Sequence, residues 1–266
     1  MDKKGYLYEL SYGNKATINT GNYENLNPVY NLKCQKFVSE GETLDLEHEF
    51  GVMKEIVDGI LQQDIYAVRA RLNPPPPHWF REKDGKQYVR VSAVLDPTVK
   101  TPAVENKIRP YGIRGDILHR IFERYVRDGV LDKFLTEAEE EIIKPIGGLV
   151  GFDLSWIMTD DRFEFKNSEV EVYDEELMYS GKYDADGTFS KVEAGFDLKS
   201  GKDLDVDTIF EQLAAYWNAS GRKWKQMIIL PVHPDGKKEP IVSTKMIEYF
   251  NRFKQKRQTF KEMYGV

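Results

Sequence analysis

The chain has 266 residues, with 41% hydrophobic and 31% charged side chains, a formal net charge of −6 and one cysteine, Cys34. One to two domains fit this length, and either leaves chain enough for a sizeable core. A single cysteine excludes an internal disulfide framework and any four-cysteine zinc or iron–sulfur site within one chain, while the acidic balance argues against broad nonspecific adhesion to nucleic acid without excluding a local basic groove.

No apolar run approaches the roughly 20 residues of a membrane span. The start, Met1-Asp-Lys-Lys-Gly5, has no apolar segment of signal-peptide type, so the expectation is a cytoplasmic protein without membrane contact. Gly5–Ile18 and Pro28–Val38 read as strands, with a turn at Thr20-Gly-Asn22. A helix over Leu46–Leu61 sets Phe50, Met53, Ile56, Val57, Ile60 and Leu61 on one face. Residues 1–72 are therefore expected to form a small N-terminal α+β domain, able to bind DNA, a partner protein or another copy of itself. Asn73-Pro-Pro-Pro-Pro77 suits neither helix nor central strand and reads as a stiff linker.

The second domain is expected over 78–266. It opens with a strand at Tyr88–Leu95, then a helix at Ile113–Gly129 with Ile117, Leu118, Ile121, Phe122 and Tyr125 as its apolar face. A charged helix follows at Lys133–Ile143. Strands are expected at Leu149–Met158, Glu169–Tyr173, Met178–Asp184 and Val192–Lys199, then a helix at Asp205–Asn218, a strand at Gln226–Val232 and a last helix at Thr244–Met263. This pattern is α/β: a mixed central sheet flanked by helices.

Three places can carry chemistry. Met178–Asp184 and Val192–Lys199 form a hairpin if Ala185-Asp-Gly187 is its turn. That hairpin brings Asp184 and Asp197 together at strand ends. Strand alternation gives Asp197 and Lys199 a common face and turns Leu198 into the core. A surface hairpin with a solvated salt bridge would carry the same Asp-x-Lys. The apolar or small run of Val192–Lys199 instead sets its end beside a buried sheet, where clustered acids repel unless a cation sits between them. Hard oxygen ligands suit Mg²⁺ or Mn²⁺. On the helix, His119 and Glu123 lie one turn apart at the flank of the apolar stripe. His119 is either a partly exposed helix histidine or a third ligand that tilts the preference toward Mn²⁺. Gln212 and Tyr216 fall together on the face opposite Phe210, Leu213, Ala214 and Trp217. They face solvent, or they bind phosphate oxygens if that face abuts the acids.

The order Gly115…His119, Gly181-x-x-Asp184, Asp197-Leu-Lys199, Gln212-x-x-x-Tyr216 resembles the RecB-type, histidine-containing branch of the PD-(D/E)XK nucleases, over about Tyr88 to the C-terminus. The resemblance implies a restriction-endonuclease-like core. It implies that His119, Asp184, Asp197 and the main-chain carbonyl of Leu198 bind one or two Mg²⁺ or Mn²⁺ ions. Lys199 would position or help deprotonate the attacking water, its pKa lowered by the cations and partial burial, and Gln212 and Tyr216 would orient the phosphate and the lysine. Arg114, Arg120, Lys202 and Tyr216 are the expected DNA contacts. Relatives with four cysteines bind an iron–sulfur cluster, which this chain cannot do. The function so implied is a metal-dependent DNA exonuclease acting at DNA ends or single strands, in DNA repair, recombination or viral DNA processing, with a recombination or single-strand-binding protein as a further partner. A structure-specific endonuclease acting at flaps or branches, or a non-catalytic DNA-binding module, remains open as an alternative. Two sequences mix aromatics with positive charge, His78-Trp-Phe-Arg81 and Arg109-Pro-Tyr111, which suits stacking on unpaired bases and equally suits core or interface packing. The last helix carries Lys245, Arg252, Lys254, Lys256, Arg257 and Lys261, either as a solvated face or as a track for a nucleic-acid backbone.

Overall fold

The structure, a computed structural model, describes residues 5–15, 18–19, 25–26, 29–39, 43–72, 74–131 and 135–266. The chain divides into two compact units, Met1–Pro75 with Thr259–Val266, and Pro76–Gln258. The division falls inside the proline run. The last eight residues, expected in the second domain, group with the first unit, where Phe260 is 1% exposed and its ring lies 4.8 Å from that of Tyr264. The expected turn at Thr20–Asn22, the linker residue Asn73 and Lys133 lie outside the described residues.

In the first unit, β1 (Gly5–Lys15) pairs antiparallel with β4 (Val29–Ser39), and the short β2 (Ile18–Asn19) pairs with β3 (Asn25–Leu26). The helix α1 runs from Leu46 to Leu72. Leu10 from β1 and Met53, Val57 and Leu61 from α1 are buried, and Asp58 accepts a hydrogen bond from Asn14 Nδ2 at 2.6 Å. The apolar face expected of this helix divides in two. Met53, Val57 and Leu61 turn inward, whereas Phe50, Ile56 and Ile60 are exposed.

The second unit is mixed α/β, a mixed seven-stranded sheet with helices against both faces. A hairpin of β5 (Phe80–Lys83) and β6 (Lys86–Arg90) turns at Asp84 and Gly85, both with positive φ. The strand expected to reach Leu95 stops at Arg90. Val91–Leu95 is the short helix α2, because Val91 and Val94 bury at one-turn spacing. The next helix, α3 (Pro102–Asp128), begins well before the expected Ile113. Thr101 caps it by accepting from Val104 N, and it runs through Pro110. After it, α4 (Glu137–Ile143) starts at a capping box formed by Thr136 and Glu139. The strand expected at Leu149–Met158 does not form. Gly147, Gly148 and Gly151 take positive φ there, and the Asp153 carboxylate accepts from Ser155 N to start the short helix α5 (Ser155–Thr159).

The remaining strands are β7 (Phe163–Asp174), β8 (Tyr179–Phe189), β9 (Val192–Lys199), β10 (Gln226–Pro231) and β11 (Ile241–Ser243). Between them come α6 (Val206–Ala219) and, at the end, α7 (Met246–Tyr264). The sheet order is β11-β10-β9-β8-β6-β5, with β7 on the other edge of β8. The β8–β9 hairpin turns at Ser190-Lys191, both with positive φ, rather than at Ala185–Gly187. Gly187 lies inside β8 because β7 crosses close by: a Cβ there would stand 2.0 Å from Glu164 O. Against one face of the sheet packs α3, with Ile117, Leu118, Ile121 and Phe122 meeting Phe196, Leu198, Ile228 and Leu230 in one core. Against the other face lie α6 and the first part of α7. The Tyr179 hydroxyl donates to Ala215 O at 2.9 Å, and the ring of Tyr179 lies 4.9 Å from that of Phe253. No described helix is long and apolar enough to cross a membrane.

Gln226 fastens the hairpin turn from the neighbouring strand. Its buried amide donates to Phe189 O at 2.8 Å and Val192 O at 3.1 Å. Gln226→Leu keeps the volume and removes both side-chain donations, so urea unfolding is expected to register a loss of about 1–3 kcal/mol. A change within the scatter of surface variants would show that the turn holds without it.

Candidate functional site

One edge of β8 is paired along its length by β7. The opposite edge is shared: β6 pairs parallel with Tyr179 and Ser180, and β9 pairs antiparallel with Ala185–Phe189. Gly181–Asp184 lie between, with no strand on that edge among the described residues. Meanwhile β9 continues through Asp197, Leu198 and Lys199 along β10. The two halves of the hairpin therefore part at Asp184, in mid-strand rather than at the strand end expected from the sequence. Here the Asp184 carboxylate takes the place of the missing ladder partner, its Oδ2 accepting the Leu198 N–H at 2.6 Å.

The strand changes face at this rung. Gly181 and Tyr183 meet Tyr216 and Trp224 on the α6 side. Ala185, two residues on from Tyr183, joins Phe196 in the core against α3. Glu169, flanked in β7 by Ser168 and Val170, which pair with Ala185 and Tyr183, stands opposite Asp184 and has a φ of 55°. A non-glycine residue in the left-handed region breaks the alternation of β7 where β8 breaks its own. Carboxylates from three adjacent strands thus converge on one opening.

Helices complete it from both sides. From α3, His119 Nδ1 lies 3.0 Å from Asp184 Oδ1. Ligand atoms of His119, Glu169 and Asp184 all lie within 4.8 Å of one another, a group that could hold a metal ion. On the β9 side, Asp197 is 2% exposed, and its Oδ2 lies 2.6 Å from Lys199 Nζ. From α6, Gln212 Oε1 faces Lys199 Nζ at 3.5 Å, and Gln212 Nε2 donates to the Tyr216 hydroxyl at 2.8 Å. Of the two orientations open to the α6 pair, the structure shows the inward one: Tyr216 is buried at 4% exposure.

The charges sort themselves by environment. Burial raises the Asp197 carboxyl, the Lys199 ammonium opposes it, and Asp184 reinforces it; the net direction is up. Burial acts the same way on Asp184, but His119, Lys199 and the Leu198 N–H outweigh it and hold this carboxyl below its ordinary value. For His119, burial disfavours the imidazolium, and Asp184 more than offsets it, so its pKa is raised. Burial likewise works against the Lys199 ammonium, while Asp197 and Asp184 overcome it and keep the lysine above its ordinary pKa. Burial thus acts on Lys199 in the direction expected from the sequence, and in the protein alone the two carboxylates outweigh it; the lowering expected from bound cations is a separate effect. The Tyr216 phenol is pushed upward by burial first, and it stays protonated. Hard oxygen donors and one imidazole make a donor set that fits a divalent cation.

The side chain of Leu198 is fully buried in the core, as strand alternation predicts, and only its main-chain carbonyl is the expected ligand atom. The cations expected to contact DNA have partners within the chain. Arg114 is 9% exposed, with its guanidinium over the Phe152 ring at 4.5 Å and donating to Ile146 O at 3.2 Å, so it packs instead of facing DNA. Arg120 pairs with Glu139 and Lys202 with Asp235. Glu123 pairs with Arg127. The cations of the last helix are largely used internally: Lys256 on the buried Glu211, Arg252 on Asp207 and Glu248, and Arg257 on Leu177 O. Arg81 is paired with Glu171 at 2.5 Å. Sequence reasoning missed Glu169. The signal was countable: with the β7–β8 turn at Glu175–Met178, register places Glu169 across from Asp184. No family model matches the chain, and no curated protein matches its sequence significantly.

The glycine of Gly181-x-x-Asp184 has a steric reason. A Cβ at Gly181 would stand 2.0 Å from Tyr216 Cε1. Gly181→Ala is expected to cost about 1–3 kcal/mol by overpacking. In Tyr216→Ala the space opens, so the double variant should lose clearly less than the sum of the single losses in chemical denaturation. Additive losses would refute the contact.

Proposed function

We propose that this chain is a metal-dependent deoxyribonuclease of the PD-(D/E)XK type, an exonuclease acting at DNA ends or on single strands. The observation that carries this reading is the Asp197–Lys199 contact of 2.6 Å beside the Asp184–His119 contact of 3.0 Å, in an opening bordered by Gln212 and Tyr216. A binding module has no use for this arrangement. Gathering three carboxylates, a lysine and a histidine in a partly buried rung costs several kcal/mol unless chemistry or a cation requires them.

His119, Asp184, Asp197 and Glu169 are the residues that would hold Mg²⁺ or Mn²⁺, which lowers the pKa of water and stabilises the charge that develops on a phosphodiester under attack. The chain's own groups do the rest. Lys199, which lies 2.6 Å from Asp197, donates toward the phosphate oxygens or orients the attacking water. Gln212 fixes Lys199 through Oε1 and the Tyr216 oxygen through Nε2. The Tyr216 proton is then free to point away from Gln212, toward a substrate oxygen. The Leu198 N–H holds the Asp184 carboxylate in one orientation, which keeps the ligand set aligned before substrate arrives.

Incubation with end-labelled single-stranded, duplex and covalently closed circular DNA tests the reading. Strands with ends are expected to be degraded with Mn²⁺ or Mg²⁺ and spared with EDTA, and closed circles are expected to survive. Cleaved circles would replace the exonuclease with an endonuclease, and no cleavage under any condition would leave a binding module. Asp197→Ala and Lys199→Ala should each lower the cleavage rate by at least about 10²-fold, the scale of losing one preorganised charge-stabilising group, while DNA affinity in a mobility-shift assay changes little. Unchanged cleavage in either variant removes the site.

A further inference from the structure

We propose that the pocket at the ends of β9 and β10, beyond Lys199, takes the unpaired base of the nucleotide next to the scissile phosphate, with His233 as its hydrogen-bond donor. The inference deepens the nuclease reading above and rests on it for the place of the phosphate at the opening.

The pocket has a volume of about 400 Å³, within the range of small-molecule sites. Leu204, Pro231, His233 and Ile241 line it, together with the exposed Lys202 and Lys237. It adjoins the candidate site through the sheet. Pro231 is paired with Lys199 across the β9–β10 ladder, and the next residue, Val232, donates its N–H to Lys199 O at 2.9 Å. His233 follows Pro231 by two residues, at most about 7 Å of chain. A strand whose phosphate lies at Lys199 therefore has its neighbouring nucleotide within reach of the pocket.

Several contacts hold the His233 ring in place. The reversal His233-Pro-Asp-Gly236 closes with Gly236 N–H donating to His233 O at 3.0 Å, and Asp235 N–H donates to His233 Nδ1 at 3.1 Å. The ring stands T-shaped against Phe152, with centroids 5.5 Å apart. Pro234 packs so closely on Gly151 that a Cβ there would stand 2.9 Å from Pro234 Cβ. With Nδ1 accepting, the neutral imidazole carries its proton on Nε2. Nε2 has no hydrogen-bond partner among the described residues.

The chemistry of the lining selects a base over a phosphate. Leu204, Pro231 and Ile241 offer apolar surface, which suits the face of a flat ring. Both lysines are already paired, Lys202 with Asp235 and Lys237 with Glu239, so a phosphate would have to displace an acid to reach either. A base needs only apolar surface and a donor, and every base carries an acceptor at its edge. A base stacked in a duplex cannot enter a pocket, so the one taken is unpaired. The pocket thus supplies a physical reason for cleavage at ends and single strands.

Thymidine 5′-monophosphate and deoxyribose 5-phosphate, each titrated into the full chain in EDTA, separate base from phosphate without any cleavage. The readout is the imidazole nitrogen resonances of chain labelled with ¹⁵N-histidine, and His233→Gln identifies those of His233. The thymidine compound is expected to shift the His233 Nε2 resonance, and the sugar phosphate to leave it in place. In Ile241→Trp and Leu204→Trp, each of which fills the pocket, the shift should vanish while a thermal melt shows the chain folded. His233→Ala should weaken the thymidine compound roughly fivefold in ligand-observed NMR, the scale of one hydrogen bond. His233→Gln, which keeps an N–H donor, should recover part of that loss. Equal responses to the two compounds, or none to the thymidine compound, overturn the proposal. On end-labelled single strands, an abasic residue beside the cleaved bond should raise KM several-fold in the unaltered chain and add little in His233→Ala. The same abasic penalty in both would reduce His233 to a structural role and also overturn it. Thymidine binding by a chain that cleaves no DNA leaves the pocket standing and sinks the nuclease reading. Cleavage by a chain whose His233 ignores the thymidine compound does the reverse.

Discussion

The hydrogen bond from the Leu198 N–H to Asp184 Oδ2 is the constraint on which the second unit's opening depends. A sheet tolerates a missing ladder partner only if the freed groups find another, because a buried backbone N–H without one costs free energy comparable to a lost hydrogen bond. Where β9 leaves β8, a side chain supplies the acceptor, at 2.6 Å. The same bond that closes the fold's accounts fixes a carboxylate in the gap, so a structural necessity and a residue of the candidate metal group coincide.

Around that bond the electrostatics are balanced by placement. Acids in partly buried surroundings would ordinarily protonate or repel. Here Lys199 and His119 sit within contact distance of Asp197 and Asp184, and the two aspartates are driven in opposite directions, one carboxyl up and the other down. Asp184 keeps its charge through hydrogen bonding and an imidazole; Asp197 feels burial most. Environments that push neighbouring carboxyls apart are what division of labour among them requires.

Legibility followed locality. The apolar stripes of α3 and α6 and the strand Val192–Lys199 were readable because period and burial agree within each segment. The same holds for the neighbours Asp197, Leu198 and Lys199, which alternate as expected. Misreadings arose where a distant partner decides. Val91–Leu95 has strand-like composition but buries as a helical turn. Asp186-Gly187 looks like a turn, yet Gly187 is demanded by the backbone of β7, and the chain reverses at Ser190-Lys191, which carries no glycine to announce it. Glu169 was hidden for the same reason, since its neighbour Asp184 is set by cross-strand register. Arg114 was legible as a cation and illegible as a buried one, because the aromatic surface that covers it comes from Phe152.

The tight reversal at Ser190-Lys191 has a kinetic meaning. Both aspartates lie on a single hairpin, whose closure is a local event on the microsecond scale, while His119 arrives from a helix far upstream. Lys199, carried on the same strand as Asp197, is the counter-charge that the hairpin brings with its own carboxylates, whereas the imidazole must be supplied by long-range packing of α3.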